Sequence, residues 1–394
     1  MAASAASADP QLSPITDRDY AIELYDSTAL GNTAVVGMGG AALALASGTS
    51  GTLNNPAAPA VRSTTDTDSW SWDYHIDYLI GSLSSDYDNN GLTTQNGGLK
   101  RDDGGTSVVT GGVGIRYHDW AIAMTATEQF ALVDAMVATQ SNVSLRASAL
   151  RFQLALAKWV PQLDTAIGVS VTNAQFELKP NCTTAGCQSL FTISGPGFEA
   201  GATWIPRRES LRVAAAVSSA IAGGSVVASS CPDLANCDGF ILPSTVVSPW
   251  RIAGGGAYRW AETAWNQQVG GWFRDEPSLT LAADLVVAGP SENAFGLEAF
   301  GTKQLQRAGL HATYSVRAGA EYEWVPGRFR VRAGSYWEPS RFEGISGRIH
   351  GTFGVEVRVL QFWLWGSLRR GRISLTADLA SQYRNIGLSI GFWH

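Results

Sequence analysis

Trp70-Ser71-Trp72-Asp73-Tyr74-His75-Ile76-Asp77-Tyr78-Leu79-Ile80 is the stretch whose reading decides the fold. Every even position is aromatic or aliphatic, while Ser71, Asp73, His75 and Asp77 occupy odd ones. Side chains alternate faces along an extended strand, so one face is apolar and the other ionisable. The run lasts about 11 residues, the length of a tilted strand crossing a bilayer. A strand covering a soluble core rarely carries so unbroken an aromatic row. The stretch reads as the wall of a transmembrane β-barrel.

The pattern recurs toward the C-terminus. Tyr314, Val316, Ala318, Ala320, Tyr322 and Trp324 share one face, and Arg317, Glu321 and Glu323 the other. After Val325-Pro326-Gly327, Phe329, Val331, Ala333, Ser335 and Trp337 alternate with Arg328, Arg330, Arg332 and Glu338. Phe353, Val355, Val357 and Val359 alternate with Glu356 and Arg358. Charge on the lipid face is costly. Asp73, His75, Asp77, Arg317, Glu321, Arg330, Arg332, Glu356 and Arg358 are therefore expected to face the lumen. There, opposite charges on adjacent strands support a polar wall, and we read them chiefly as scaffolding rather than as a substrate-selective arginine ladder. His75 between Asp73 and Asp77 has the ingredients of a proton-linked site, but lumen polarity explains it more simply.

Weaker strands read around 106–117, 120–130, 143–158, 163–177, 197–205, 210–222, 249–260, 278–288, 294–303 and 373–383. The last runs through Ile386, Leu388, Ile390 and Phe392 to Trp393-His394, similar to the terminal signal read by barrel-assembly machinery, with His394 displacing the aromatic from the end. The expected fold is all-β, an antiparallel barrel of about 14 strands, and even numbers are the rule for such barrels.

Composition agrees. Of 394 residues only 16% are charged and 45% are hydrophobic, with 43 Gly and 14 Trp. Soluble domains carry about 25% charge. A helical membrane protein needs runs of about 20 apolar residues, whereas Ala34 to Ala46 is the best candidate and contains three glycines. Lysine occurs only at 100, 158, 179 and 303, and no basic run accompanies the net charge of −6, so nucleic acid is not an expected partner.

Short links (His118-Asp119, Val160 to Leu163, Ile205 to Glu209, Val325 to Gly327) alternate through residue 260 with long polar ones at 84–105, 178–195 and 223–248. Outer-membrane barrels have short periplasmic turns and long outer loops. The cysteines fall in two local pairs, Cys182/Cys187 and Cys231/Cys237, both on outer loops by this topology. Zinc favours CxxC spacing with His nearby, and the five His are distant, so two disulfides and an oxidising compartment are expected. Met1-Ala-Ala-Ser-Ala-Ala-Ser-Ala reads as the tail of an export signal, so a signal peptide absent from this chain is expected.

Residues 1–66 do not alternate. They run from an Ala/Ser-rich leader through Gly37-Met-Gly39-Gly40 and Gly48 to Asn54-Asn55-Pro56-Ala57, ahead of the first strand. Glycines here let the backbone bend and pack closely, and Pro56 fixes a turn where the segment meets the wall. Roughly residues 29–60, with 275–340 and above all RAGAEYEWVPGRFRVRAGSYWEPS at 317–340, resemble the FadL-type outer-membrane transporters of long-chain fatty acids and aromatic hydrocarbons. The resemblance implies residues 1–66 as a lumen plug and 67–394 as a barrel in the bacterial outer membrane. It implies passive uptake of hydrophobic molecules, with Gly37, Gly39, Gly40, Asn54, Asn55 and Pro56 in plug gating. It also implies a hydrophobic ligand leaving through a wall opening. Glycines inside strands, such as Gly111-Gly112 or Gly254-Gly255-Gly256, are candidate kinks for that opening.

The alternative is a FadL-like barrel that scaffolds a secretion or surface complex, with outer-membrane partner proteins docking on cysteine-clamped loops or on the insert at 261–277. Membrane lipids or lipopolysaccharide are expected partners of either. No cofactor, metal or catalytic constellation is legible. Gly37-x-Gly39 lacks the third glycine of a dinucleotide turn. Asp86-Tyr-Asp88-Asn-Asn90-Gly91 begins like a calcium loop but has Gly97 where the final acidic residue belongs.

Overall fold

In the computed structural model, residues 12–24, 28, 32–62, 68–81, 86, 88–91, 106–135, 143–180, 188–226, 231–269, 275–364 and 367–392 are described. Fourteen antiparallel strands close a barrel. They are β1 Trp70–Gly81, β2 Thr106–Tyr117, β3 Trp120–Ala135, β4 Val143–Val160, β5 Thr165–Pro180, β6 Phe191–Trp204, β7 Leu211–Ser218, β8 Arg251–Trp260, β9 Ser278–Ala288, β10 Thr313–Val325, β11 Phe329–Glu338, β12 Arg348–Leu364, β13 Ser367–Ala380 and β14 Tyr383–Phe392. β14 pairs with β1, so no edge is left open at the ends of the wall.

The faces follow the alternation. Ile76, Ile115, Met124, Leu154, Val169 and Phe198 stand outward and are at least half exposed, whereas His75, Asp77, Thr125, Gln153 and Ser170 are buried inside. A hydrocarbon solvent accepts the first set and demands hydrogen-bond partners for the second.

Residues 294–303, expected as a wall strand, are not one. Ala294–Phe295 is a two-residue strand and Leu297–Gly301 a helix, both part of a cap at the loop end. Their apolar residues serve the core of that cap, where Phe300 packs with Phe191 and Phe240. The cap is a six-stranded sheet in the order Leu12–Pro14, Gln304–Ala308, Ala294–Phe295, Ala21–Glu23, Thr245–Ser248, Ile221–Ala222. Ala21–Glu23 thus lies between two loop strands, parallel to both. Glu23 forms a buried ion pair with Arg341, and the Tyr20 hydroxyl donates to the Ile241 carbonyl. Burial pushes that phenol above its ordinary pKa. The Cys231–Cys237 disulfide closes a turn on the same cap; Cys182 and Cys187 lie outside the described residues.

The wall is uneven. β3 to β6 run 16, 18, 16 and 14 residues, but β7 has 8 and β8 has 10. β6 pairs with β7 only from Glu199 to Trp204. Ser219 ends this ladder, donating its N–H to the Phe198 carbonyl at 2.8 Å and accepting from the Phe198 N–H through its hydroxyl at 3.0 Å. Beyond it the chain turns inward, and Ile221 and Ala222 rest against the inner face of Gly197 and Gly195. Among the described residues no wall strand pairs with this side of β6 from Phe191 to Gly197.

Candidate functional site

The predicted residues of the N-terminal segment are held by the inner face of the barrel. Asn32 caps the short helix Thr33–Gly37, accepting from the Val35 N–H at 2.9 Å. Asp77 accepts from the Thr33 N–H at 3.2 Å, and the Thr352 hydroxyl donates to the Gly37 carbonyl at 3.2 Å. Gly39 and Gly40 have φ of 62° and 74°, a conformation open to glycine at little cost. Met38 and Gly39 lie directly on Gly319 and Gly334 of the wall, where any Cβ would collide. Asp73 accepts from the Thr49 N–H at 2.8 Å and its hydroxyl at 3.1 Å, and the His75 Nδ1 lies 3.0 Å from that hydroxyl.

At the turn end, Asn55 donates through Nδ2 to the Ala202 carbonyl and the Thr203 hydroxyl at 3.2 and 3.0 Å. Its Oδ1 accepts from the Ala57 N–H, and Pro56 is seated against Gly168 and Gly201. The neighbouring Asn54 is half-buried and makes its backbone bond to the Gly51 carbonyl.

One anchor escaped the sequence reading. Asp284 Oδ2 accepts from the backbone N–H groups of Ala42 and Leu43 at 2.8 and 2.9 Å. Gly255 leaves the space that the other oxygen, Oδ1, fills. Asp284 is the sole charged residue of Ser278–Ala288, and that was the available signal. Beneath Ala41–Ala44, Trp265 from the insert packs with Ala214, Ala257 and Ala282. The Arg212 guanidinium stacks on Trp265 at 3.8 Å and donates to Asn266 Oδ1 at 2.8 Å. Asp275, in the same turn, meets Arg370 through two bonds of 2.6 and 2.9 Å, which hold its carboxyl below the usual range.

The predicted charges of β10 to β12 converge on the inner wall. Arg332 meets Glu321 at 2.6 Å and Glu356 at 3.1 Å, and Arg330 meets Glu323 at 3.0 Å and Glu356 at 3.5 Å. Arg372, which the sequence reading omitted, adds a contact to Glu356 at 3.3 Å. Arg317 instead donates to Ser315, and Arg358 reaches Gln361 at the rim. Asp86 accepts from the N–H groups of Asn90 and Gly91, which accounts for that stretch as a turn.

The glycine runs do not open the wall. Gly111-Gly112 and Gly254-Gly255-Gly256 sit in continuous ladders on both sides. Gly112 makes room for the His75 ring and Gly255 for Asp284, so these glycines serve inner-face packing instead of a kink. The interruption is at the β6–β7 seam. Outside it lies an apolar recess of about 910 Å³, lined by outward residues including Leu154, Val171, Phe198, Val217 and Ile252. Glu199, Ser218 and Arg251 form one cross-strand row at its inner edge. Glu199 is fixed there by Gln153 and Thr172.

No protein-family model and no curated protein matches the chain in sequence. Solved structures do. A Pseudomonas aeruginosa FadL homologue aligns over 92% of this chain and 98% of its own, at 14% identity and a TM-score of 0.52. The Pseudomonas putida toluene transporter TodX aligns over 96% and 99%, at 13% identity and 0.52. The CymD monoaromatic hydrocarbon channel aligns over 93% and 97%, at 12% identity and 0.52. This is the FadL-type barrel fold. Each alignment spans nearly the whole of both chains. At such identity the FadL-type likeness carries architecture only, so the roles of Asp284, Asn55 and the recess rest on their own geometry.

Proposed function

We propose that this FadL-type barrel is an outer-membrane channel for passive uptake of hydrophobic small molecules, such as long-chain fatty acids or aromatic hydrocarbons. Residues 1–66 act as its plug and 67–394 as its wall. The observation that carries the reading is the apolar recess where the β6–β7 ladder ends. An apolar solute leaving a polar, charge-lined interior gains about 25 cal/mol for each Å² it buries in such a surface. At the turn end Trp265 packs with Ala41, Leu43 and Ala44 against the wall, which favours a sideways route over an axial one. Wall contacts to Thr33, Gly37, Ala42, Leu43, Thr49 and Asn55 would hold the plug until it shifts.

The test is uptake of labelled long-chain fatty acid and of toluene by cells producing the chain, with and without residues 2–66, alongside ion conductance in planar bilayers. The intact chain is expected to raise uptake and conduct little, and the deletion to conduct strongly. No uptake by the intact chain would remove the channel reading. Unchanged conductance after deletion would remove the plug.

A further inference from the structure

At the turn end of β13 the outer face carries a cation. Arg370 and Arg372 point inward and are buried. Arg369 shares the parity of Ile373 and Leu375, which stand outward at 38% and 49% exposure, so its guanidinium lies on the outer face. Its central carbon is 5.4 Å from the centre of the Phe392 ring and 5.8 Å from that of Trp72. Trp72 stacks on Tyr74 at 6.0 Å, and Phe392 meets Tyr74 edge-on at 4.6 Å. These rings cover the seam where β14 closes onto β1. The Arg369 Nε–H is buried and has no hydrogen-bond acceptor among the described residues. A second cation stands outward at the same end, Lys158, with Nζ 4.7 Å from the centre of the Trp120 ring.

An outward arginine is costly at the bilayer midplane and tolerated near the interface. Ring faces attract the cation but give its N–H groups only weak acceptors. The guanidinium fork is therefore free to take a planar pair of anionic oxygens. At the height of a membrane rim, the anion that presents them is the phosphodiester of a lipid headgroup. We propose that Arg369, seated on Trp72 and Phe392, binds the phosphate of a glycerophospholipid in the turn-side leaflet, with Lys158 on Trp120 as a weaker second contact. This needs only the membrane barrel, and stands or falls apart from the channel reading.

The test is binding of dioctanoyl phosphatidylglycerol to the purified full chain in dodecyl maltoside, read by native mass spectrometry. Dioctanoylglycerol, which lacks the phosphate, and inorganic phosphate are the comparators. The wild type is expected to bind the phospholipid about tenfold tighter than Arg369→Gln, the loss of one charge-assisted contact. Arg369→Lys, which keeps charge without the fork, should fall between. Equal binding by Arg369→Gln and wild type would overturn the proposal. So would dioctanoylglycerol or inorganic phosphate binding as tightly as the phospholipid. Heat-modifiable gel migration shows that each variant is folded; if Arg369→Gln is not, Arg369→Lys against wild type carries the comparison.

Discussion

The two sides of this barrel are built differently. From β10 to β13 the inner face is a buried lattice in which Glu356 touches Arg330, Arg332 and Arg372. From β6 to β8 small inner-face residues such as Gly195, Gly197, Ala214 and Gly255 separate the charges of Glu199, Arg212 and Arg251, with one short strand, one early ladder end and the recess outside. Buried charge fixes one arrangement, because each ion would be expensive without its partners. On the channel reading, the short strand and the early ladder end make the other side the one that can part. On that reading, a closed barrel keeps its shape while keeping one weak line.

Perturbing each side separates the two. The largest effect is expected from Glu356→Ala, which takes a shared carboxylate from three buried arginines and should cost about 3–5 kcal/mol, read by denaturant unfolding in micelles. A cost under about 1 kcal/mol would mean the lattice is solvated and the contrast is wrong. Gly168→Val places carbon against the Pro56 carbonyl. It should destabilise by about 1–3 kcal/mol and raise ion conductance by dislodging the segment near Asn55. Asp284→Ala strips the acceptor from two N–H groups and should cost about 1–3 kcal/mol, read as faster amide exchange at Ala42 and Leu43.

The smallest effect is acid sensitivity at the Asp275–Arg370 contact. The Asp275 carboxyl titrates lower in the folded chain, so its stabilisation is full above the unfolded value of about 3.9 and lost as pH falls through the lower folded one. Comparing melting of wild type and Asp275→Asn from about pH 7 down to about pH 3 checks this, with the gap expected to close only in acid.

The wall was legible because lipid enforces a period of two; Trp70 to Ile80 could be assigned face by face. Residues 294–303 misled because a cap strand and helix also need apolar residues, and pattern alone does not say which core they fill. The seam was illegible because nothing local in 210–222 reveals that the chain turns inward after Ser218, a consequence of the Gly195 and Gly197 surfaces on another strand. The segment before Trp70 was recognisable as non-wall because it does not alternate. Its anchors required tertiary structure, since Asp284 is 242 residues from Ala42.

The central claim is that hydrophobic molecules cross the wall at the weak line. Filling the recess with Ala200→Trp and Ile252→Trp, against a control of Phe353→Trp on the opposite outer face, tests it through uptake of labelled long-chain fatty acid or toluene. Uptake is expected to collapse in the recess variant and persist in the control. Equal uptake in both, with each variant correctly assembled, would contradict the account.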